Sequence, residues 1–168
     1  MNRSLLVRAA TAETLTDGPA SLITLLADSG TTGGALTANR ATLRADSPGA
    51  PPHYHSGATE MFFVLDGQLQ ALDGDSVVTL DTGDLLVVPP GRPHAFAPAP
   101  GAAADVLIAF SPGMNRFDYY RLLERVHLGT ADIAEVRASS ERFDNHYVDS
   151  PAWRAARAAA TAPKDPTR

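Results

Sequence analysis

The chain has 168 residues, a length that suits one domain large enough to bury a core without cross-links. It contains no cysteine, which excludes disulfides and thiolate metal sites, so any bound metal must be held by imidazole and carboxylate groups. The net charge is −5 at pH 7 and the basic residues are scattered, so we expect no nucleic-acid partner.

Residues 1–32 carry two short apolar segments, Leu5–Val7 and Leu22–Leu26, which are separated by a predicted turn at Asp17-Gly18-Pro19. Arg8 interrupts the first segment, which is therefore too short for the core of a signal peptide. No later apolar run approaches the roughly 20 residues of a membrane span. We therefore expect a cytoplasmic protein that makes no membrane contact.

Residues 33–110 form a succession of short β-type runs punctuated by Gly, Pro and Asp, which indicates an antiparallel sandwich or barrel. We interpret Asp66-Gly67 as the turn of a β-hairpin, and Asp73-Gly74 and Thr82-Gly83 as further turns. The predicted strands are Leu36–Leu43, Glu60–Leu65, Gln68–Leu72, Ser76–Leu80, Asp84–Val88, His94–Ala97 and Asp105–Phe110.

Beyond Phe110 the apolar period changes from two residues to three and four, which is typical of helices. This spacing predicts a helix over Arg116–Val126, and Gly129 is well placed to end it. A second short helix is predicted over Ala131–Ala138.

The last helix is predicted over Ala152–Ala160, with Ser150 as its N-cap and Pro151 at its first position. We expect Trp153 to anchor this helix against the barrel or against a second subunit. Residues 161–168 contain two prolines and several charges, and we expect them to form a frayed tail.

The segment His53-Tyr54-His55 places two imidazoles on one face of an extended strand, because side chains alternate with a period of two. Glu60 follows a segment that is able to turn and bring a carboxylate back to the same point. His94 lies 34 residues beyond Glu60, after the proline-rich segment 89–93. Three imidazoles and one carboxylate suit one divalent transition metal (Fe, Mn, Ni, Zn or Cu). A His-x-His pair alone is a weak signal, because polar edge strands also carry such pairs.

The residues around these candidate ligands resemble the two sequence motifs of the cupin superfamily. The first motif is matched by His53-x-His55, four residues, Glu60, six residues and Gly67. The second is matched by Gly83, five residues, Pro89-x-Gly91, two residues and His94, with 15 residues between the two motifs. The sequence departs from the family pattern at two structural positions, where Ser47 replaces a glycine and Pro98 replaces a frequent asparagine.

The resemblance implies an all-β fold, a double-stranded β-helix or jelly roll, with the metal near the mouth of the barrel. We expect residues 1–112 to form this cupin barrel with its N-terminal strands. Residues 113–160 are expected to form a short α-helical C-terminal extension packed on the barrel, followed by the tail at 161–168. Segments 29–35, 111–117 and 149–154 look like the small monocupins of the quercetin-dioxygenase-like group.

Strand alternation also predicts which neighbours of the metal ligands face a substrate cavity. Inward-facing residues are expected at every second position from Glu60 and on the strand of His94. An apolar, aromatic wall suits a flat or hydrophobic organic molecule better than a sugar phosphate. The alternative role for each such residue is to fill the barrel without touching a ligand. The predicted pocket residues are Phe62, Val64, Gln70, Phe96 and Phe110.

The opposite face of the same strand carries Met61, Phe63 and Leu65, three apolar side chains that need a cover. The cover comes from N-terminal strands, from C-terminal helices or from a second subunit. Because small cupins commonly pair through such faces, the resemblance implies a homodimer.

Three functions fit these residues. The first is a dioxygenase of quercetinase-like type, in which a small, largely apolar substrate meets the metal and O₂ while Glu60, besides holding the metal, takes the substrate's proton. The second is a metal-dependent cyclase or isomerase of polyketide-like substrates that needs no O₂. The third is a non-enzymatic, metal-dependent small-molecule binding protein. The fold does not choose among them, and the full ligand set with an apolar wall favours the first.

Overall fold

The computed structural model describes residues 4–161, which form ten strands, five α-helices and one short 3₁₀ helix at Ala9–Thr11. Every strand pairing is antiparallel, and the strands form one curled sheet, so the predicted mostly-β class is confirmed. The strands are β1 (Thr14–Thr16), β2 (Ser21–Ala27), β3 (Thr37–Leu43), β4 (Ala50–Tyr54), β5 (Thr59–Asp73), β6 (Ser76–Asp81), β7 (Leu85–Val88), β8 (His94–Pro98), β9 (Ala104–Ser111) and β10 (His146–Tyr147).

The helices follow the predicted pattern closely at the C-terminal side of the barrel. The helix expected over Arg116–Val126 is confirmed one residue later, and Gly129 follows it with a left-handed φ of 71°. The helix that Ser150 and Pro151 were expected to start is also confirmed, and the Ser150 hydroxyl accepts the Trp153 N–H at 3.2 Å. The helices are α1 (Ser29–Thr32), α2 (Phe117–His127), α3 (Ile133–Ala138), α4 (Ser140–Phe143) and α5 (Pro151–Thr161).

The long strand β5 holds the sheet together. Hydrogen-bonded neighbours run in the order β1-β2-β3-β9-β5-β8-β4-β10, and β6 and β7 pair with β5 as well. The first half of β5 pairs with β7 and β9, whereas its second half pairs with β6 and β8. One strand therefore belongs to both sides of the barrel and positions them relative to each other.

The prediction of a hairpin turn at Asp66-Gly67 is wrong, because β5 runs through both residues without reversing. The pairing of β5 with β9 instead shifts register between Val64 and Asp66, which is a β-bulge. Gly67 has φ +77°, and a Cβ on it would lie 2.1 Å from the Ala103 carbonyl oxygen. A glycine that permits positive φ and close backbone approach was thus mistaken for a turn residue.

The main core fills the barrel with side chains from the inward faces of its strands. Phe62, Val64, Ile108 and Phe110 are at most 1% exposed in this core. Each fully buried side chain of this size contributes roughly 1.5–3 kcal/mol to the free energy of folding. This packing fixes the positions of the strands that carry the metal ligands.

Two smaller cores attach the helices to the sheet. The first joins α2, α3 and α4 to the N-terminal strands, with Leu15 and Ile23 packed among residues such as Tyr119 and Tyr120. In the second, Trp153 of α5 packs with Leu72 and two alanines of β8, so its predicted anchoring role against the barrel is confirmed. None of the helices in residues 4–161 is long and apolar enough to cross a membrane. The C-terminal tail at 162–168 lies outside the described residues.

We predict that Gly67→Ala destabilises the protein more than Gly83→Ala, which is a matched control. Gly83 also has a positive φ, of +94°, but no atom lies within 4 Å of the position that its Cβ would take. Both variants lose about 1–2 kcal/mol to the left-handed backbone, and Gly67→Ala loses about 1–3 kcal/mol more to the Ala103 carbonyl. Urea unfolding measures the difference, and equal losses would contradict the bulge interpretation.

Candidate metal centre

Four side chains from two separate segments of the chain meet at one buried point inside the barrel. The pairing of β4 with β8 sets His53 directly opposite His94, and Glu60 lies on the inward face of β5. The structure therefore brings together all the residues that the sequence spacing predicts as ligands. The ligand atoms of His53, His55, Glu60 and His94 lie within 4.8 Å of one another, and all four residues are buried.

Backbone carbonyl groups orient all three imidazoles. Because a carbonyl oxygen only accepts hydrogen bonds, each ring must carry its proton on Nδ1, which leaves the Nε2 lone pair free. Metal-binding histidines are commonly oriented in this way, with the second nitrogen donating to a carbonyl or carboxylate. The pairs are His53 with Pro51 (2.8 Å), His94 with Arg92 (2.9 Å) and His55 with Asp144.

The free nitrogens face a carboxylate oxygen. Glu60 Oε2 lies 2.7 Å from His94 Nε2 and 3.0 Å from His55 Nε2. Two lone pairs at this distance repel each other unless a cation, either a proton or a metal ion, lies between them. Adjacent ligands on one octahedral ion with bonds of about 2.1 Å lie about 3 Å apart. The cluster therefore fits a divalent transition metal, and its ligand set does not identify which one.

The pKa values of Glu60 and His53 are shifted in directions that favour a bound cation. Burial raises the pKa of Glu60, but hydrogen bonds from His55 and His94 outweigh it, so that the pKa lies well below its usual value. Burial and the two neighbouring imidazoles lower the pKa of His53 well below its usual value. Burial lowers the pKa of His94 too, but Glu60 outweighs it and raises the pKa overall.

A cavity of about 200 Å³ opens beside the cluster and is walled by both the barrel and the helices. His53 and Glu60 line it, so a molecule in the cavity would lie against the face of the cluster that these two residues form. At about 30 Å³ per water, this volume suits a small organic molecule. Most of the remaining wall is apolar or aromatic.

Four of the five predicted pocket residues lie near the cluster and divide into two groups. Phe96 lines the cavity, while Phe62, Val64 and Phe110 lie in the main core behind it. The rings of Phe62 and Phe110 still touch the cluster, with centroids 6.1 Å from His94 and 5.4 Å from His55, respectively. These rings pack against the metal ligands and exclude water from their inner side.

Gln70 points away from the cavity, and its amide oxygen accepts a hydrogen bond from Arg157 of α5 at 3.0 Å. The cause is the bulge in β5. Before the bulge, Glu60, Phe62 and Val64 face inward, whereas after it Leu69 and Ala71 do. Simple alternation from Glu60 places Gln70 on the wrong face because the bulge changes the phase by one residue.

The C-terminal segment supplies eight of the 21 residues that line the cavity, and the sequence alone did not assign them to the site. The apolar stripe of α2 predicts that this helix packs on the barrel. Its two adjacent tyrosines are the sequence feature that indicates a further role, at the cavity. Residues 145 and 147 have no such signal, because only the pairing of β10 with β4 brings them to the cluster. The wall residues from this region are Arg116, Tyr119, Tyr120, Leu123, Ile133, Val136, Asn145 and Tyr147.

Residues 39–110 match the sequence model of the family described as "Cupin domain". This segment is a cupin domain. It contains all four residues of the metal cluster. Over 77 residues the chain is 36% identical to Germin-like protein 1 of Brassica napus. That match covers 41% of this chain and 37% of the relative, so the chain spans well under half of the relative's length.

Solved structures share the fold of the cupin domain at low sequence identity. KdgF from Halomonas sp. is 18% identical, with a TM-score of 0.57 over 69% of this chain and 98% of that one. Streptomyces PAC13 with uridine, a nucleoside dehydratase, is 16% identical, with a TM-score of 0.55 over 69% and 88%. FeII HppE is 21% identical, with a TM-score of 0.56 over 66% and 62%. These likenesses show the shared fold.

Asp144 connects the helical extension to a metal ligand of the cupin domain. It ends α4 in the left-handed conformation, with φ 47°, and its carbonyl group thereby faces His55. Its carboxylate accepts hydrogen bonds from the backbone N–H groups of Ser56 and Gly57, both at 2.8 Å. Burial raises the pKa of Asp144, but hydrogen bonds from these residues and from His146 outweigh it and lower the pKa overall. Asp144 is a positioning residue for His55 and for the loop before Glu60.

We predict that Asp144→Ala weakens metal binding by about 10–100-fold, because alanine disfavours the left-handed backbone and lacks the carboxylate. Asp144→Asn, which tolerates this backbone and keeps one acceptor oxygen, should lose less. Competition with a chromophoric chelator for Zn²⁺ and Fe²⁺ measures the affinities. Asp149→Ala, which removes an exposed carboxylate outside the site, is the control. Unchanged affinity in Asp144→Ala would contradict the positioning role.

Proposed function

We propose that this protein is a metal-dependent dioxygenase that acts on a small organic molecule held in the cavity beside the cluster. The observation that carries the proposal is that His53 and Glu60 form part of the cavity wall. A substrate in the cavity would therefore meet the metal centre directly. The narrower resemblance to quercetin-dioxygenase-like monocupins supports the same reaction type.

Each part of the site has a role in such a reaction. The residues that would hold the metal are His53, His55, Glu60 and His94, and the metal, when bound, would supply Lewis-acid and redox chemistry. Glu60 would also accept the proton of an acidic hydroxyl or enol of the substrate, since its carboxylate is ionised and the residue lines the cavity. The surrounding aromatic wall would exclude bulk water from the deprotonated substrate.

A metal-dependent cyclase or isomerase is the second candidate, and the tyrosines of the cavity favour it. Burial raises the pKa of Tyr119 and Tyr120, so both keep their hydroxyl protons. Tyr119 bonds to the Tyr147 hydroxyl at 2.8 Å, and Tyr120 donates to Asn39 at 2.9 Å. Such hydroxyl groups can donate protons to a substrate in a cyclase or isomerase reaction, which does not use O₂. FeII HppE and a nucleoside dehydratase have similar barrels, so the barrel by itself does not choose between these chemistries.

We predict that the purified, metal-loaded protein consumes O₂ with an enol-type substrate, and that Glu60→Gln lowers the turnover number by about 100-fold or more. Elemental analysis and an oxygen electrode, with flavonols, diketones and catechols as the substrate panel, provide the measurements. Glu141→Gln, which changes a carboxylate 93% exposed at its side chain, is the matched control. Turnover that persists without O₂ would support the second candidate, and a protein that binds no metal would overturn both.

We further propose that a second copy of the chain covers the outer face of β5 and β7. Phe63, Leu65, Leu85 and Val87 form this face and are 38%, 40%, 57% and 50% exposed. Phe63 and Leu85 are direct partners in the pairing of the two strands, so the apolar side chains are contiguous.

We predict that the protein is a dimer in solution and that the double substitution Leu85→Lys, Val87→Lys makes it monomeric, because charges on both subunits would face each other across an apolar interface. Light scattering after size exclusion measures the mass. Leu128→Lys, at the exposed end of α2, is the control. A monomeric unmodified protein would contradict the proposal.

A further inference from the structure

A buried arginine without an acidic partner lies beside the metal centre. Arg116, at the start of α2, is 4% exposed, and no carboxylate in residues 4–161 forms an ion pair with it. Its guanidinium carbon lies over three aromatic rings, with centroids at 4.3 Å (Tyr119), 5.1 Å (Phe110) and 5.2 Å (Tyr120). Aromatic faces stabilise a cation only in part, so a buried charge without an anion is costly.

Two hydrogen-bond donors of this region have no acceptor. Arg116 Nη1 donates to Asn145 Oδ1 at 3.2 Å and to the Phe143 carbonyl at 3.5 Å. Arg116 Nε and Asn145 Nδ2, in contrast, are fully buried and have no hydrogen-bond partner in the described part of the chain. Each such buried donor costs about 1–3 kcal/mol unless an acceptor reaches it. Two of them on adjacent side chains mark a place for an oxygen-rich ligand.

Both residues line the same cavity as His53 and Glu60. Glu60 acts on the Arg116 charge from a distance but forms no ion pair with it, and its Oε2 atom lies against His55 and His94. The other carboxyl group on the cavity wall belongs to Asp17. Burial raises the pKa of Asp17, and its carboxylate makes no ion pair with Arg116. A divalent metal bound to the cluster would add further positive charge. The cavity therefore has an excess of positive charge that an anionic ligand would balance.

We propose that Arg116 and Asn145 form a carboxylate-binding subsite, and that the substrate is a small organic acid with an apolar body. The carboxylate accepts hydrogen bonds from the guanidinium and the amide, while the other end of the molecule reaches the metal centre. A carboxylate matches this site better than a phosphate, because two free donors suit two oxygens and the rest of the wall is largely apolar. This inference rests on the proposed function, whose substrate class it names.

Benzoate and benzamide provide a matched pair of probes, since they share size and shape and differ in charge. Isothermal titration calorimetry of the metal-loaded protein should show benzoate binding at least about ten-fold more tightly than benzamide. Arg116→Met should remove this preference. Arg121→Met, on the exposed face of the same helix, should leave it unchanged. Equal affinity for both probes, or a preference that survives Arg116→Met, would overturn the proposal.

Asn145→Asp provides a second test that does not depend on whether Arg116→Met folds. The new carboxylate would lie beside Arg116 and act as an internal anion. We expect its thermal midpoint to rise while benzoate binding weakens by about ten-fold or more, because the site is already neutralised. Benzoate that binds as tightly to this variant as to the unmodified protein would contradict the subsite.

Removal of the metal separates this inference from the proposed function. Benzoate should still bind to the chelator-treated protein, because Arg116 and Asn145 need no metal to hold a carboxylate. Binding that disappears with the metal and survives Arg116→Met would show that benzoate ligates the metal instead, which overturns the subsite alone. An Arg116-dependent preference for benzoate in a protein that never consumes O₂ would leave the subsite and overturn the dioxygenase.

Discussion

The whole site depends on one electrostatic constraint, namely that imidazole nitrogens and a carboxylate oxygen face each other in a dry interior. Glu60 Oε2 lies 2.7 Å and 3.0 Å from the Nε2 atoms of His94 and His55, whose other nitrogens are already committed to carbonyl groups. This arrangement is stable only around a shared cation. The barrel provides the rigid frame that keeps these groups together, because its strands place the ligands and its carbonyl groups orient the rings.

The second determinant of the site is the bulge in β5. A single strand pairs on both sides of the barrel, and the extra residue between Val64 and Asp66 changes which side chains face inward. Glu60 therefore faces the metal centre, while Leu69 and Ala71 fill the core further along. Without the bulge, Gln70 would replace Leu69 in the interior, and an amide without a partner would be buried there. Because of the bulge, β5 places a candidate ligand at the metal centre and apolar side chains in the core.

The helical extension completes the site as well as covering the sheet. Asp144 orients His55 from outside the cupin domain, and Arg116 and Asn145 place buried donors on the cavity wall. Buried polar groups without partners lower stability, and their retention on a cavity wall is typical of ligand binding. The candidate metal ligands therefore lie in the barrel, whereas the residues proposed to select the substrate come from the C-terminal segment.

The sequence alone determined the mostly-β fold, the C-terminal helices and the four residues of the metal cluster. Strand alternation places His53 and His55 on one side, helical spacing predicts α2, and a cap starts α5. Glu60 and His94 join the set because the spacing around them resembles the two cupin motifs. Only the tertiary structure decided the continuity of β5, the outward direction of Gln70 and the roles of Arg116 and Asp144. Each of these depends on contacts between distant parts of the chain, such as the 89 residues between His55 and Asp144. Local propensity carries no information about such contacts, because they form only when the complete barrel packs against its helices.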